Sequence, residues 1–203
     1  MAKQYHSRSY HRYFENYAEK EVLKPGGGYE IQRVYVGNYY KADLTDSENR
    51  RSKFAIFILY FLTLTGYFAG GLLSAVSATT GVAIATMPAL IAVLFLAVSV
   101  FYRLAAPREM EIRQYRDSSQ VLAWRALACA VCLGLCLAAT AAGCFAIPGY
   151  PLTKHVPSLV LYALALACVV LLYLREKHTA YLTLPPRQER PSESSPIRYE
   201  MPE

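Results

Sequence analysis

The residues of this 203-residue chain whose types and spacing could do chemistry are five cysteines, four histidines and one glycine run. Cys129 and Cys132 form a CxxC, with Cys136 one turn further along the same helical face. Such pairs serve membrane thiol oxidoreductases where the surroundings support a thiolate. Here they lie a turn or more inside an apolar run, which disfavours the charged form. Side chains three apart on a regular helix also diverge, so a disulfide there would require local unwinding. The expected role of these cysteines is packing, as small residues beside Ala and Gly. His6 and His11 stand five apart, off the i, i+4 spacing of a helical metal pair, and His155 and His178 are isolated. Gly26, Gly27 and Gly28 lack the Gly-Lys-Ser/Thr ending of a phosphate loop. No nucleophile has a base near it in sequence. The expectation is a chain that is not an enzyme, with no catalytic, cofactor-binding or metal-binding residues and no cofactor.

The elements that carry these residues are strongly apolar. Hydrophobic residues make up 54% of the chain and charged residues 18%, below the usual quarter of a soluble domain. The charge deficit is concentrated between Phe54 and Leu174, where nearly every charged residue falls in one loop, 103–120. Four apolar runs follow, over 54–76, 82–102, 121–147 and 156–174. The stretch Trp124–Ile147 is the sharpest of them, about 36 Å long as a helix and enough to cross a hydrocarbon core of about 30 Å. The span interiors hold no Asp, Glu, His, Lys or Arg, which argues against a proton-coupled carrier. Their polar side chains, Thr63, Tyr67, Thr86, Ser99, Thr140 and Tyr162 among them, suit bonds between helices.

Small residues recur every fourth position in two spans. Gly66, Gly70 and Ser74 form one ladder; Ala126, Ala130, Gly134, Ala138 and Ala142 form the other. Close approach of backbones is what holds helices together in lipid, so these are the candidate packing residues. The expectation is that the first ladder packs against the second within the chain. Oligomerisation through the Gly66/Gly70/Ser74 face is the alternative. Pro88 should kink the second span.

Charge sets the orientation. Ten Lys and Arg precede the first span, four lie in the 103–120 loop, five in the tail, and Arg125 opens the third span. Lys154 alone falls on the other side. The positive-inside rule therefore places both termini and the loop in the cytoplasm of a cell whose plasma membrane holds the protein. Phe54, Tyr102, Arg103, Trp124, Arg125 and Tyr173 are the expected interfacial anchors. The basic residues flank apolar spans instead of forming one basic domain, so nucleic acid is excluded as a partner.

The polar segments complete the reading. Tyr10, Tyr13, Phe14, Tyr17, Ala18 and Val22 share one helical face, predicting an amphipathic helix over 9–24 that ends at Pro25. Residues 29–44, broken at Gly37-Asn38, read as a hairpin. Thr45 and Glu48 have capping-box spacing. Pro107 should open a short surface helix, and Asp117 or Ser118 should cap the third span. The proline-rich tail, 175–203, should be disordered. The expected fold is an all-α integral membrane protein: an antiparallel four-transmembrane-helix bundle (54–174), a small cytoplasmic N-terminal α/β-hairpin head (1–53) and a disordered tail. Beyond the lipid bilayer, the expected partner is a cytoplasmic protein bound by an accessory or scaffold component. A small transporter or channel subunit acting as a homo-oligomer is the alternative, and a membrane thiol oxidoreductase a distant one.

Overall fold

A computed structural model describes residues 16–23, 29–73, 80–146 and 155–186. Four helices dominate it: α1 (Asp46–Leu73), α2 (Thr80–Ala105), α4 (Val121–Ala146) and α5 (Val156–His178). Each is long and apolar enough to cross a membrane. They form a ring in which α1 packs on α5, α5 on α4, α4 on α2 and, more lightly, α2 on α1. Ring neighbours run antiparallel. Ile56, Val93, Leu96, Leu122, Leu133 and Leu172 fill the centre. The outer faces are just as apolar, with Phe57, Phe61, Ile91, Phe95, Val131 and Leu171 exposed. A helix that is hydrophobic all round belongs in an apolar medium, and four together leave an apolar girdle no water-soluble bundle would expose.

The helix starts follow local chemistry. The Thr45 backbone N–H donates to the Glu48 carboxylate at 2.9 Å, and Glu48 N–H to Thr45 Oγ1 at 3.4 Å. That reciprocal cap starts α1 eight residues before its apolar run. The third span begins differently from expectation. Pro107 opens no helix; Glu109–Met110 is a short strand, β4. Glu111 then caps α3 (Ile112–Tyr115), with Gln114 completing the box. A π-helical turn, Arg116–Gln120, leads directly into α4. Neither Asp117 nor Ser118 is a cap: the helix never breaks there, so no backbone N–H is left for them to satisfy.

The polar segments differ more. Residues 17–23 form a strand, β1, paired antiparallel with β2 (Tyr29–Tyr35), from Tyr17↔Tyr35 to Leu23↔Tyr29. The helix expected over 9–24 is therefore not present across 17–23, and 9–15 lie outside the described residues. Pro25–Gly28, read as a helix terminator, lie outside the described residues; the two seven-residue strands on either side bond across the pair. The hairpin expected over 29–44 is likewise split. Its second half, β3 (Tyr39–Ala42), turns away from β2 and becomes the centre of a three-stranded sheet between β4 and β5 (Tyr181–Leu184). Tyr40 stands opposite Met110 on one side and Thr183 on the other. The tail is thus ordered through Leu184, because β3 offers it a ladder that no local pattern announces. Gly37 makes the split feasible: a Cβ there would come within 2.6 Å of the Tyr35 hydroxyl and 2.7 Å of Asn16.

Candidate functional site

Both ends of the bundle follow from its antiparallel order, and most polar contacts between elements among the described residues gather at one of them. There the ends of α1, α2, α4 and α5 meet β3, β4 and β5. Lys53 on α1 donates to the carbonyls of Leu104 and Ala106 at 2.9 and 2.7 Å, satisfying groups that the end of α2 leaves unbonded. Arg175 Nε donates to Ser52 Oγ at 3.4 Å, tying α5 to α1. Arg108 pairs with Asp46, and Arg113 approaches Asp117 at 3.8 Å.

At the centre lies a buried ion pair. Arg103, at the end of α2, is 2% exposed, and Glu176, at the end of α5, is 3% exposed. Their Nε–Oε2 distance is 3.3 Å. The second carboxylate oxygen accepts a 2.7 Å bond from the Tyr181 hydroxyl. The Tyr181 ring lies under the guanidinium, 5.8 Å from its carbon, and edge-on to Tyr115 at 4.8 Å. Tyr115 in turn stacks on Tyr40 at 4.6 Å. Burial, followed by the charge of Glu176, pushes the Tyr181 phenol well above its usual range, so it stays a neutral donor. A second aromatic set holds β2 and β3: Tyr35 meets Tyr17 and Tyr39 edge-on, each at 5.2 Å. Tyr35 accepts the Ile112 N–H at 3.1 Å and donates to Asn38 O at 2.9 Å, while the Tyr17 hydroxyl donates to Glu111.

The expected anchors divide. Trp124, Phe54 and Tyr102 are exposed on the outer face near the polar end. Tyr173 is half-buried, with Lys177 over its ring at 5.6 Å. Arg125 folds along α2, donating to Ser99 Oγ at 2.8 Å and Phe95 O at 3.3 Å. Arg103 is no anchor at all: it points inward to Glu176, a residue the sequence places in the tail. The missed signal was a cation and an anion within two residues past the ends of the second and fourth apolar runs, which an up-and-down bundle brings to the same end.

The small-residue ladders also divide. An added Cβ at Gly66 would stand 3.0 Å from Leu161 O and 3.3 Å from Ala165 Cβ; at Gly70 it would stand 3.1 Å from the Tyr162 ring. Both face α5, where Ser158 Oγ also donates to Gly70 O at 2.7 Å. The first ladder thus packs on the fourth span and not on the third, and Ser74 lies outside the described residues. On α4 the ladder fails as a packing stripe. Steps of four on a helix of 3.6 residues per turn advance about 40° each, so five positions swing through about 160°. Ala126 is buried, Ala130 and Gly134 half-buried, and Ala138 and Ala142 exposed. A Cβ on Gly134 would meet nothing within 4 Å. The inner stripe is Leu122, Ala126, Cys129, Leu133, Cys136 and Thr140, whose steps of four and three keep one face. Cys132 turns instead to an apolar concavity of about 540 Å³ between α2 and α4, where Pro88, Leu135, Ala138 and Ala142 also lie.

Among the described residues no group of His, Cys, Asp and Glu could hold a metal ion. Comparison of the chain with protein-family models, with curated proteins and with solved structures finds no match in any of the three.

Proposed function

We propose that this protein is a non-enzymatic membrane component, an accessory or scaffold, that presents its polar end to a cytoplasmic protein partner. One observation carries the reading. Strands from three distant parts of the chain, ahead of α1, between α2 and α4, and after α5, are gathered into one sheet at a single end of the bundle. A chain that needed only to sit in lipid would have no use for such a surface. The charge asymmetry supports a cytoplasmic position for that end and for both termini, in a protein of the plasma membrane. The packing of Gly66 and Gly70 against α5 within the chain favours this reading over a homo-oligomeric transporter or channel subunit assembled through that face.

Photo-crosslinking from Lys41, Leu182 and Gln120 in native membranes, followed by affinity capture, tests the proposal. The expected result is a discrete adduct with a cytoplasmic protein, lost when β3 is disrupted by Lys41→Pro. Adducts between copies of this chain alone would instead support the oligomeric subunit.

A further inference from the structure

We infer that β5 is a releasable strap, latched over the polar end of the bundle by the contact of its Tyr181 with the buried Arg103–Glu176 pair. This is a property of the fold and stands whether or not a cytoplasmic partner exists.

The latch geometry is poor for two charges so fully removed from water. Arg103 and Glu176 share one contact, at 3.3 Å from Nε, where a good guanidinium–carboxylate pair makes two shorter parallel bonds. Arg103 Nη2 is buried and has no hydrogen-bond partner among the described residues. In a low-dielectric site such a pair recovers only part of its lost hydration. What keeps it closed comes from the strap. Tyr181 gives Glu176 its second bond, covers the guanidinium with its ring and packs on Tyr115. The strap is otherwise lightly held: β5 has four residues, forms one edge of the sheet and exposes Leu182. Asp43 N–H to Ala180 O, at 2.9 Å, is the bond at its root. Release of β5 would let water reach both charges and would uncover one edge of β3. A dry arrangement with pairing and a wet one without it, exchanged at a cost below that of unfolding the bundle, are the makings of a switch.

The tethering is mutual, so a change at the pair must be read at the strap. Hydrogen exchange of the full chain in detergent or nanodiscs measures it directly. In Glu176→Met and Arg103→Met, each leaving one charge buried and unpaired, the amides of 39–42 and 181–184 should exchange faster by at least about tenfold, while the central turns of the four long helices keep their protection. The double variant, Arg103→Met with Glu176→Met, should bring exchange of both strands well below either single variant, to about the rate of Tyr181→Phe, because no charge remains to seek water while the Tyr181 hydroxyl still lacks its acceptor. Tyr181→Phe, which folds if anything does, should raise strand exchange by a smaller factor. Unchanged strand exchange in the single variants would overturn the proposal. So would loss of protection throughout the helices, which would make the pair a bundle tie, or a double variant as open as the singles.

Discussion

Tyr17 shows how a single side chain reports on the docking of the N-terminal hairpin. Burial, and then its bond to Glu111, raise its phenol from the ordinary value of about 10 to about 12. A folded-state pKa raised above the unfolded one contributes stability that is complete below about pH 10 and is lost as pH rises through about 12. Alkaline titration by ultraviolet absorbance, wild type minus Tyr17→Phe, should therefore isolate one phenol titrating near pH 12. A difference curve centred at the ordinary tyrosine value would mean that Tyr17 does not reach Glu111. Cysteine is the other residue with a distinct expectation. Cys129 and Cys136 belong to the packed inner stripe and Cys132 to the α2–α4 concavity, positions where all three are expected to act as small apolar side chains. Replacing them together by Ala should cost on the order of 1 kcal/mol or less per site. Thiol trapping in native membranes should find Cys129 and Cys132 reduced; a substantial oxidised fraction would restore the oxidoreductase alternative.

Among the elements, the contact between α1 and α5 is the most exacting. Gly66 meets a backbone carbonyl, which cannot swing aside, and Gly70 meets the flat of a ring. Gly66→Leu or Gly70→Leu must push the helices apart, at a cost of about 1–3 kcal/mol or more. Gly134→Leu should be tolerated, and should even gain a little from better helix propensity, because open space lies where its Cβ would go. Thermal unfolding in detergent separates the cases: the two α1 variants should melt well below wild type and the α4 variant near it. Equal loss in all three would remove the distinction between the ladders.

For the whole molecule, orientation is the consequence most open to test. Gln120 is exposed in the π-helical turn at the polar end, and Gly81 is exposed at the opposite one. With Gly81→Cys and Gln120→Cys introduced singly, a membrane-impermeant maleimide applied to intact cells should label position 81. Position 120 should react only after permeabilisation. Ser118 would make a poor reporter, being 2% exposed. Labelling of position 120 from outside would reverse the orientation and move the sheet, with the proposed partner surface, out of the cytoplasm.

The sequence by itself determined the four apolar helices, their order and the capped start of α1. Each depends on composition along a continuous stretch or on residues three apart. Helix ends came within a few residues for the same reason, as with 156–174 against the observed Val156–His178. Only the tertiary structure decided which faces meet. The repeat of small residues in α4 is conspicuous in the string, but its period of four drifts off the contact face, while the less regular stripe through Cys129 and Cys136 stays on it. Strand pairing was invisible for a different reason. Tyr40 finds Met110 and Thr183 across separations of roughly 70 and 140 residues, and nothing in the four residues of β3 states which distant segment will complete their hydrogen bonds. The buried pair of Arg103 and Glu176 belongs to the same class. Each reads alone as an interfacial charge, and the ring sets the C-terminal ends of α2 and α5 at the same level across it, which makes the two charges neighbours that water no longer reaches.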